Sequence, residues 1–168
     1  MYDYNLFLIE YKLTRNQLIK TFPTYHEQFY LSIDVKPLGV VSGWGSIIHV
    51  TKGGDENEFG NRIPAIWFHP GTKRLHICTA IGSSSRHCHD EKVDLPTHRF
   101  TNIQISQAVL SGADIFWYSI AIDKKTVFAV ENPNPLYLSN VKVFMANPWH
   151  ISANALVKNV QVTTSQGG

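Results

Sequence analysis

The stretch QFYLSIDVK, residues 28–36, decides how the rest of the chain is read. Phe29, Leu31, Ile33 and Val35 fall on one side of an extended backbone, and Tyr30, Ser32, Asp34 and Lys36 on the other. Successive side chains of a strand point to opposite faces, so this period of two specifies a strand with one buried face. The same alternation predicts strands over 44–51 (WGSIIHVT), 64–69 (PAIWFH) and 74–80 (RLHICTA), then over 99–106, 114–123, 126–131, 140–146 and 156–164. Pro70-Gly71, Asp123-Lys124 and Asn132-Pro133 separate them as turns. Residues 16–21 (NQLIKT) read as a further strand or a single helical turn. Roughly ten short strands with a turn every 8–12 residues mean an all-β chain, folded as an antiparallel sandwich or barrel. Its expected core is Phe29, Leu31, Ile33, Ile48, Phe68, Ile103, Ile105, Ile120, Val143 and Val160.

Composition narrows the function classes. A chain of 168 residues is one ordinary domain and buries a core without metals or disulfides as props. Hydrophobic residues at 43% against 17% charged exclude a disordered chain. A formal charge of +2 supplies no basic stripe, which argues against a nucleic-acid partner. No apolar run approaches the roughly 18 residues of a membrane-spanning helix. Residues 1–12 (MYDYNLFLIEYK) place Asp3 and Glu10 around a short apolar stretch with no basic leader. They read as an edge strand, or the start of an excised piece, and not as a signal peptide. No Asn-x-Ser/Thr sequon is present.

Further motifs carry a family resemblance. FTNIQISQ (100–107) followed by WYSIAIDKKTVFAVEN (117–132) resembles a strand pair of the concanavalin A-like, laminin-G-like jelly rolls. VKVFMANPW (141–149) followed by ANALVKNVQVTT (153–164) resembles the closing pair of the same superfamily. The likeness runs over about 17–164 and implies a jelly-roll β-sandwich occupying the chain as a single domain, 1–168.

The loop GGDENEFGN (53–61) crowds Asp55, Asn57, Glu58 and Asn61 between glycines. Hard oxygens in a bendable loop suit calcium, and domains of this resemblance hold calcium in rim loops. The spacing is not that of an EF-hand, and a solvated acidic turn is the other reading. A glycoside hydrolase needs two carboxylates on one strand face, about 5–5.5 Å apart for retention. No strand alternates acids here, and Asp114, Asp123 and Glu131 sit far apart at strand ends, so the chain reads as non-catalytic.

Cys78 and Cys88 bracket Gly82 and three serines, a spacing that suits a disulfide closing a short loop. Zinc bound by these thiolates with His76, His87 or His89 is the rival, along with free thiols. Three alternating donors in one loop would strain a tetrahedral site, and a lone disulfide fits a sandwich of this resemblance better. It implies an oxidising, secreted or cell-surface location.

If Phe68 is core, then Trp67 and His69 face outward, with His49 and His76 beside them and Arg62 at the rim. Sugar sites combine an aromatic face with a few fixed polar groups. Trp44, Trp117 and Trp149 read as core. Two functions follow: a lectin-like or adhesive module for a glycan or extracellular protein, or a structural matrix domain whose edge strands contact identical copies.

Overall fold

The structure is a computed structural model that describes the backbone of residues 5–6 and the whole of residues 9–166. Its strands are β1 (Asn5–Leu6), β2 (Tyr11–Lys12), β3 (Gln17–Tyr25), β4 (Gln28–Pro37), β5 (Gly45–Thr51), β6 (Ala65–Phe68) and β7 (Leu75–Ile81). They continue as β8 (Ser84–Asp90), β9 (Thr101–Val109), β10 (Phe116–Ile122), β11 (Lys125–Asn132), β12 (Leu138–Met145) and β13 (Ala155–Ser165). The first sheet runs β1-β13-β4-β9-β10-β11, with β2 also on β13; the second runs β3-β12-β5-β6-β7-β8. All the strand pairings are antiparallel. The all-β sandwich read from the alternation is therefore the fold.

Phe29, Leu31, Ile33, Ile48, Phe68, Ile103, Ile105, Ile120, Val143 and Val160 all lie in one buried cluster between the sheets. Fully burying side chains of this size stabilises by about 1.5–3 kcal/mol each, which is what holds the two inner faces together. A polar bridge crosses the same layer. Asn132, at the end of β11, donates through Nδ2 to Gln107 Oε1 (2.7 Å) and to the Ala80 carbonyl (3.2 Å). Its Oδ1 accepts from the Gly82 and Asn134 amides at 2.9 and 3.2 Å. One amide side chain thus ties β11 and β9 to the β7–β8 turn, where Gly82 takes a φ of +57°.

Two expectations need correction, and one open alternative is decided. Residues 84–90, read as loop, form β8, whose mixed polar sequence reflects an edge position with both faces partly wet. Of the two readings of 16–21 the strand holds: residues 17–21 open β3, which runs on to Tyr25 through Pro23, and an edge strand tolerates the missing amide. In β5, a bulge between Ser46 and Ile48 breaks the alternation, so Ile47 joins Ile48 and Val50 in the core, whereas an unbroken period of two over 44–51 would put it on the side of His49. The predicted edge strand over 1–12 appears as β1 and β2 on β13. Residues 1–4 and 7–8 lie outside the described residues.

Candidate functional site

Register brings the outward residues of β5 to β8 into rows. Trp67 on β6 lies opposite Ser46 on β5 and His76 on β7, and His76 lies opposite Asp90 on β8. In the next row His49 pairs with Ala65, Ala65 with Cys78, and Cys78 with Cys88. The two cysteines form a disulfide across directly paired positions, with Cα atoms 4.1 Å apart. Close non-hydrogen-bonded pairs of antiparallel strands bring side chains within such reach. The disulfide leaves no thiolate for the zinc reading.

Two loops cover this face. His49 holds both: Nε2 donates to the Asn61 carbonyl at 2.5 Å, and Nδ1 accepts from Asn147 Nδ2 at 2.9 Å. Both ring nitrogens are satisfied with the ring neutral. Burial lowers its pKa to about 4, with the Asn61 hydrogen bond and the Asp55 charge opposing that shift. Asn147 also accepts, through Oδ1, from the amides of Trp149 and His150, which bends residues 147–150 over the sheet.

From the other side, Arg62 lies over Trp67, its guanidinium carbon 5.2 Å from the ring. Arg62 Nε donates to Asp55 Oδ1 at 3.1 Å and Nη2 to the Asp55 carbonyl at 2.8 Å. His150 stands 3.6 Å from the second Asp55 oxygen. Burial lowers the His150 pKa, opposed by Asp55 and reinforced by Arg62 and Arg15.

The loop residues proposed for calcium are otherwise engaged. Asp55 serves Arg62, Asn57 faces Arg62 and Arg86 at 3.4 and 3.5 Å, and Glu58 reaches Lys52 at 3.3 Å. Asn61 caps Glu56. Among the described residues, no three acidic groups of this loop gather within 4.8 Å of one another. The set does not fit a calcium shell of six to eight converging oxygens.

Trp67, His49, His76, Arg62 and His69 are brought together as expected, but under cover: Trp67 is 3% exposed and His49 0%. Trp44 joins them, its ring centroid 4.8 Å from that of His69 and 4.6 Å from that of His76. Asp90 Oδ1 contacts His69 Nε2 at 2.6 Å and His76 Nδ1 at 2.5 Å. Burial lowers the pKa of His76, with Asp90 opposing. For Asp90, burial pushes upward, but the two histidines outweigh it and hold the carboxyl low. Between the loops lies a cavity of about 40 Å³ lined by Trp44, Arg62, Trp67, His76, Arg86 and His150. Among the described residues, the buried Nε1 of Trp67 has no hydrogen-bond partner.

The expected roles of the tryptophans are reversed. Trp67 is the buried one, whereas Trp117 and Trp149 are 43% and 38% exposed. Trp44 leaves the core because the β5 bulge puts it, with Ser46, on the outer side.

A pentraxin from Limulus polyphemus superposes with a TM-score of 0.57 at 11% identity, over 91% of this chain and 74% of its own. An endo-β-1,4-glucuronan lyase from Trichoderma reesei gives 0.55 at 12%, over 93% and 74%. Domain 4 of an extracellular arabinanase from Geobacillus stearothermophilus, solved with arabinotriose, gives 0.51 at 16%, over 84% and 64%. The chain has the concanavalin A-like jelly-roll fold. No protein-family model and no curated protein sequence matches it. On this concanavalin A-like sandwich, Trp44, Arg86, Asp90 and His150 join the face unannounced. Arg86 and Asp90 sit two residues either side of Cys88, so the alternation exposes them once 84–90 is read as a strand. His150 reaches the face by loop closure, for which the sequence carries no periodic signal.

Proposed function

We propose that the chain is an extracellular, non-catalytic recognition domain that binds carbohydrate at the covered face of its second sheet, without calcium. The observation that carries this reading is the cavity between Trp44, Arg62, Trp67, His76, Arg86 and His150, with a buried indole N–H that lacks an acceptor. An unpaired buried donor costs about 1–3 kcal/mol, which a ligand oxygen would recover. At about 40 Å³ the cavity has room for a polar substituent, since one water needs only about 10–15 Å³ of such space. The sugar ring itself would lie outside, against Trp44 and the guanidinium of Arg86. The arabinotriose bound to one structural neighbour and the glucuronan on which another acts support a saccharide. The disulfide supports an oxidising compartment. Asp55 and Asp90, the carboxylates of this face, each serve cationic or imidazole partners, which supports binding over hydrolysis.

A glycan array, followed by NMR titration of the hits, tests the reading. The expected result is a saccharide that shifts the Trp67 indole N–H resonance in EDTA and is lost in Arg86→Ala, an exposed position. Glycans that leave that resonance unmoved would overturn it. A second reading, self-association, has a surface of its own: a groove of about 580 Å³ along edge strand β3, lined by Phe22, His26 and Tyr137. Sedimentation that depends on concentration, with no glycan signal, would favour it.

A further inference from the structure

His69 Nε2, His76 Nδ1 and Asp90 Oδ1 lie within 4.8 Å of one another, on the turn after β6, on β7 and on β8. Both ring nitrogens converge on the same carboxylate oxygen. The rest of the His76 ring gives an independent argument. Its Nε2 lies 3.1 Å from Cys78 Sγ. That sulfur belongs to the disulfide, so it has no proton to donate and can only accept weakly. With the ring proton on Nε2, that contact is an N–H···S hydrogen bond. The neutral ring then turns the lone pair of Nδ1 toward Asp90, and two acceptors face each other. A cation between them removes the conflict.

We propose that this cation is a divalent first-row transition metal such as zinc, held by His69 Nε2, His76 Nδ1 and Asp90 Oδ1, with water in a fourth position. Two imidazoles and a carboxylate with one open position is a donor set that zinc takes. Bonds of about 2.0 Å at tetrahedral angles need ligand atoms roughly 3.3 Å apart. The present contacts open by roughly 0.7 Å to admit the ion. The Asp90 side chain, 54% exposed, can make that step, while His76 at 9% stays fixed. Trp44 covers both rings, and an Nε2–H···S hydrogen bond to Cys78 would hold the tautomer that presents Nδ1, the role that outer partners of metal-bound histidines fill. The proposal stands apart from the carbohydrate reading, since the site is complete without a sugar.

The test uses the full chain, stripped with chelator, dialysed and titrated calorimetrically with zinc chloride. Asp90→Asn and His69→Ala carry partly exposed side chains and should keep the wild-type far-UV spectrum. The expected result is one zinc per chain, weakened at least about tenfold in each variant. His98→Ala, at an exposed histidine away from the cluster, should bind as the wild type does. Cobalt should give the visible absorption of a tetrahedral site, and lose it in the same two variants. Absence of zinc uptake, or uptake that both variants leave intact, overturns the proposal and leaves an ordinary hydrogen bond donated by His76 Nδ1 to Asp90 Oδ1.

Discussion

Asn147 Nδ2 donates to His49 Nδ1 at 2.9 Å, beneath a face that neither residue reaches. With its other nitrogen on the Asn61 carbonyl, His49 is a strut between two loops and not a ligand-contacting group. The two loops share the outer surface of the candidate site with Trp44 and with Arg86 of β8.

That strut sets an acid limit on stability. The folded-state pKa of His49 is about 4, against about 6.5 unfolded, so the unfolded chain binds the proton more readily in between. Its stabilising contribution is complete above pH 6.5 and declines as pH falls toward 4, by about 3 kcal/mol in all. The lowered pKa values of His76 and His150 act in the same direction. Thermal melts are expected to drop from pH 7 to pH 4.5, and His49→Gln to be less stable but flatter over that window. An unchanged slope in the variant assigns the acid sensitivity elsewhere.

Asp55 should matter through Arg62 and not through a metal. The pair is mostly buried, with side chains 17% and 10% exposed, and removing one partner of such a pair costs about 3–5 kcal/mol. Asp55→Ala is expected to lose that much stability in chemical denaturation. Calcium at 5 mM is expected to leave the wild-type melting temperature where it is. A calcium-induced rise that Asp55→Ala abolishes would restore the calcium reading of the loop.

Opening the Cys78–Cys88 bond releases a loop with a sequence separation of 10 residues. The chain-entropy estimate for such a loop is roughly 2–3 kcal/mol, or about 5–10 °C at this chain length. Calorimetry of Cys78→Ser/Cys88→Ser against the oxidised wild type measures it. Alkylation without reductant should add no label to the wild type.

Asn132 is expected to be the most sensitive polar residue between the sheets. Asn132→Ala strands Gln107 Oε1 and the Gly82 amide in a buried layer, at a cost of about 2–3 kcal/mol. Asn132→Asp keeps the shape but faces Gln107 Oε1 and the Ala80 carbonyl with an acceptor. Both variants should melt several degrees below wild type, and a neutral result in either would show that water repairs the gap.

The sandwich was legible because burial on one face of a strand imposes a period of two, which Phe29 to Val35 carries without a break. The covered face was legible only in part. Trp67 and His69 followed from Phe68 by alternation, and His76 and His49 lay on flanking strands. The β5 bulge misplaced Trp44 and Ile47, because an inserted residue shifts the frame and leaves no mark in polarity. Asp90 and Arg86 were hidden by the polar composition of an edge strand. His150 and the Asp55–Arg62 pair depend on how two loops close, a long-range event that local sequence does not encode.

Strand β8 has a single hydrogen-bonded neighbour, so under tension it would unzip from β7 one pair at a time. A ligand held by Arg86, or an ion at Asp90, would transmit its pull into this strand. Peeling from the Asp90 end breaks the pairs at Asp90 and His89, then meets the covalent link at Cys88. There it stops, and Arg86 stays in line with the turn behind it. Under shear, the domain would keep its hold until that link is reduced.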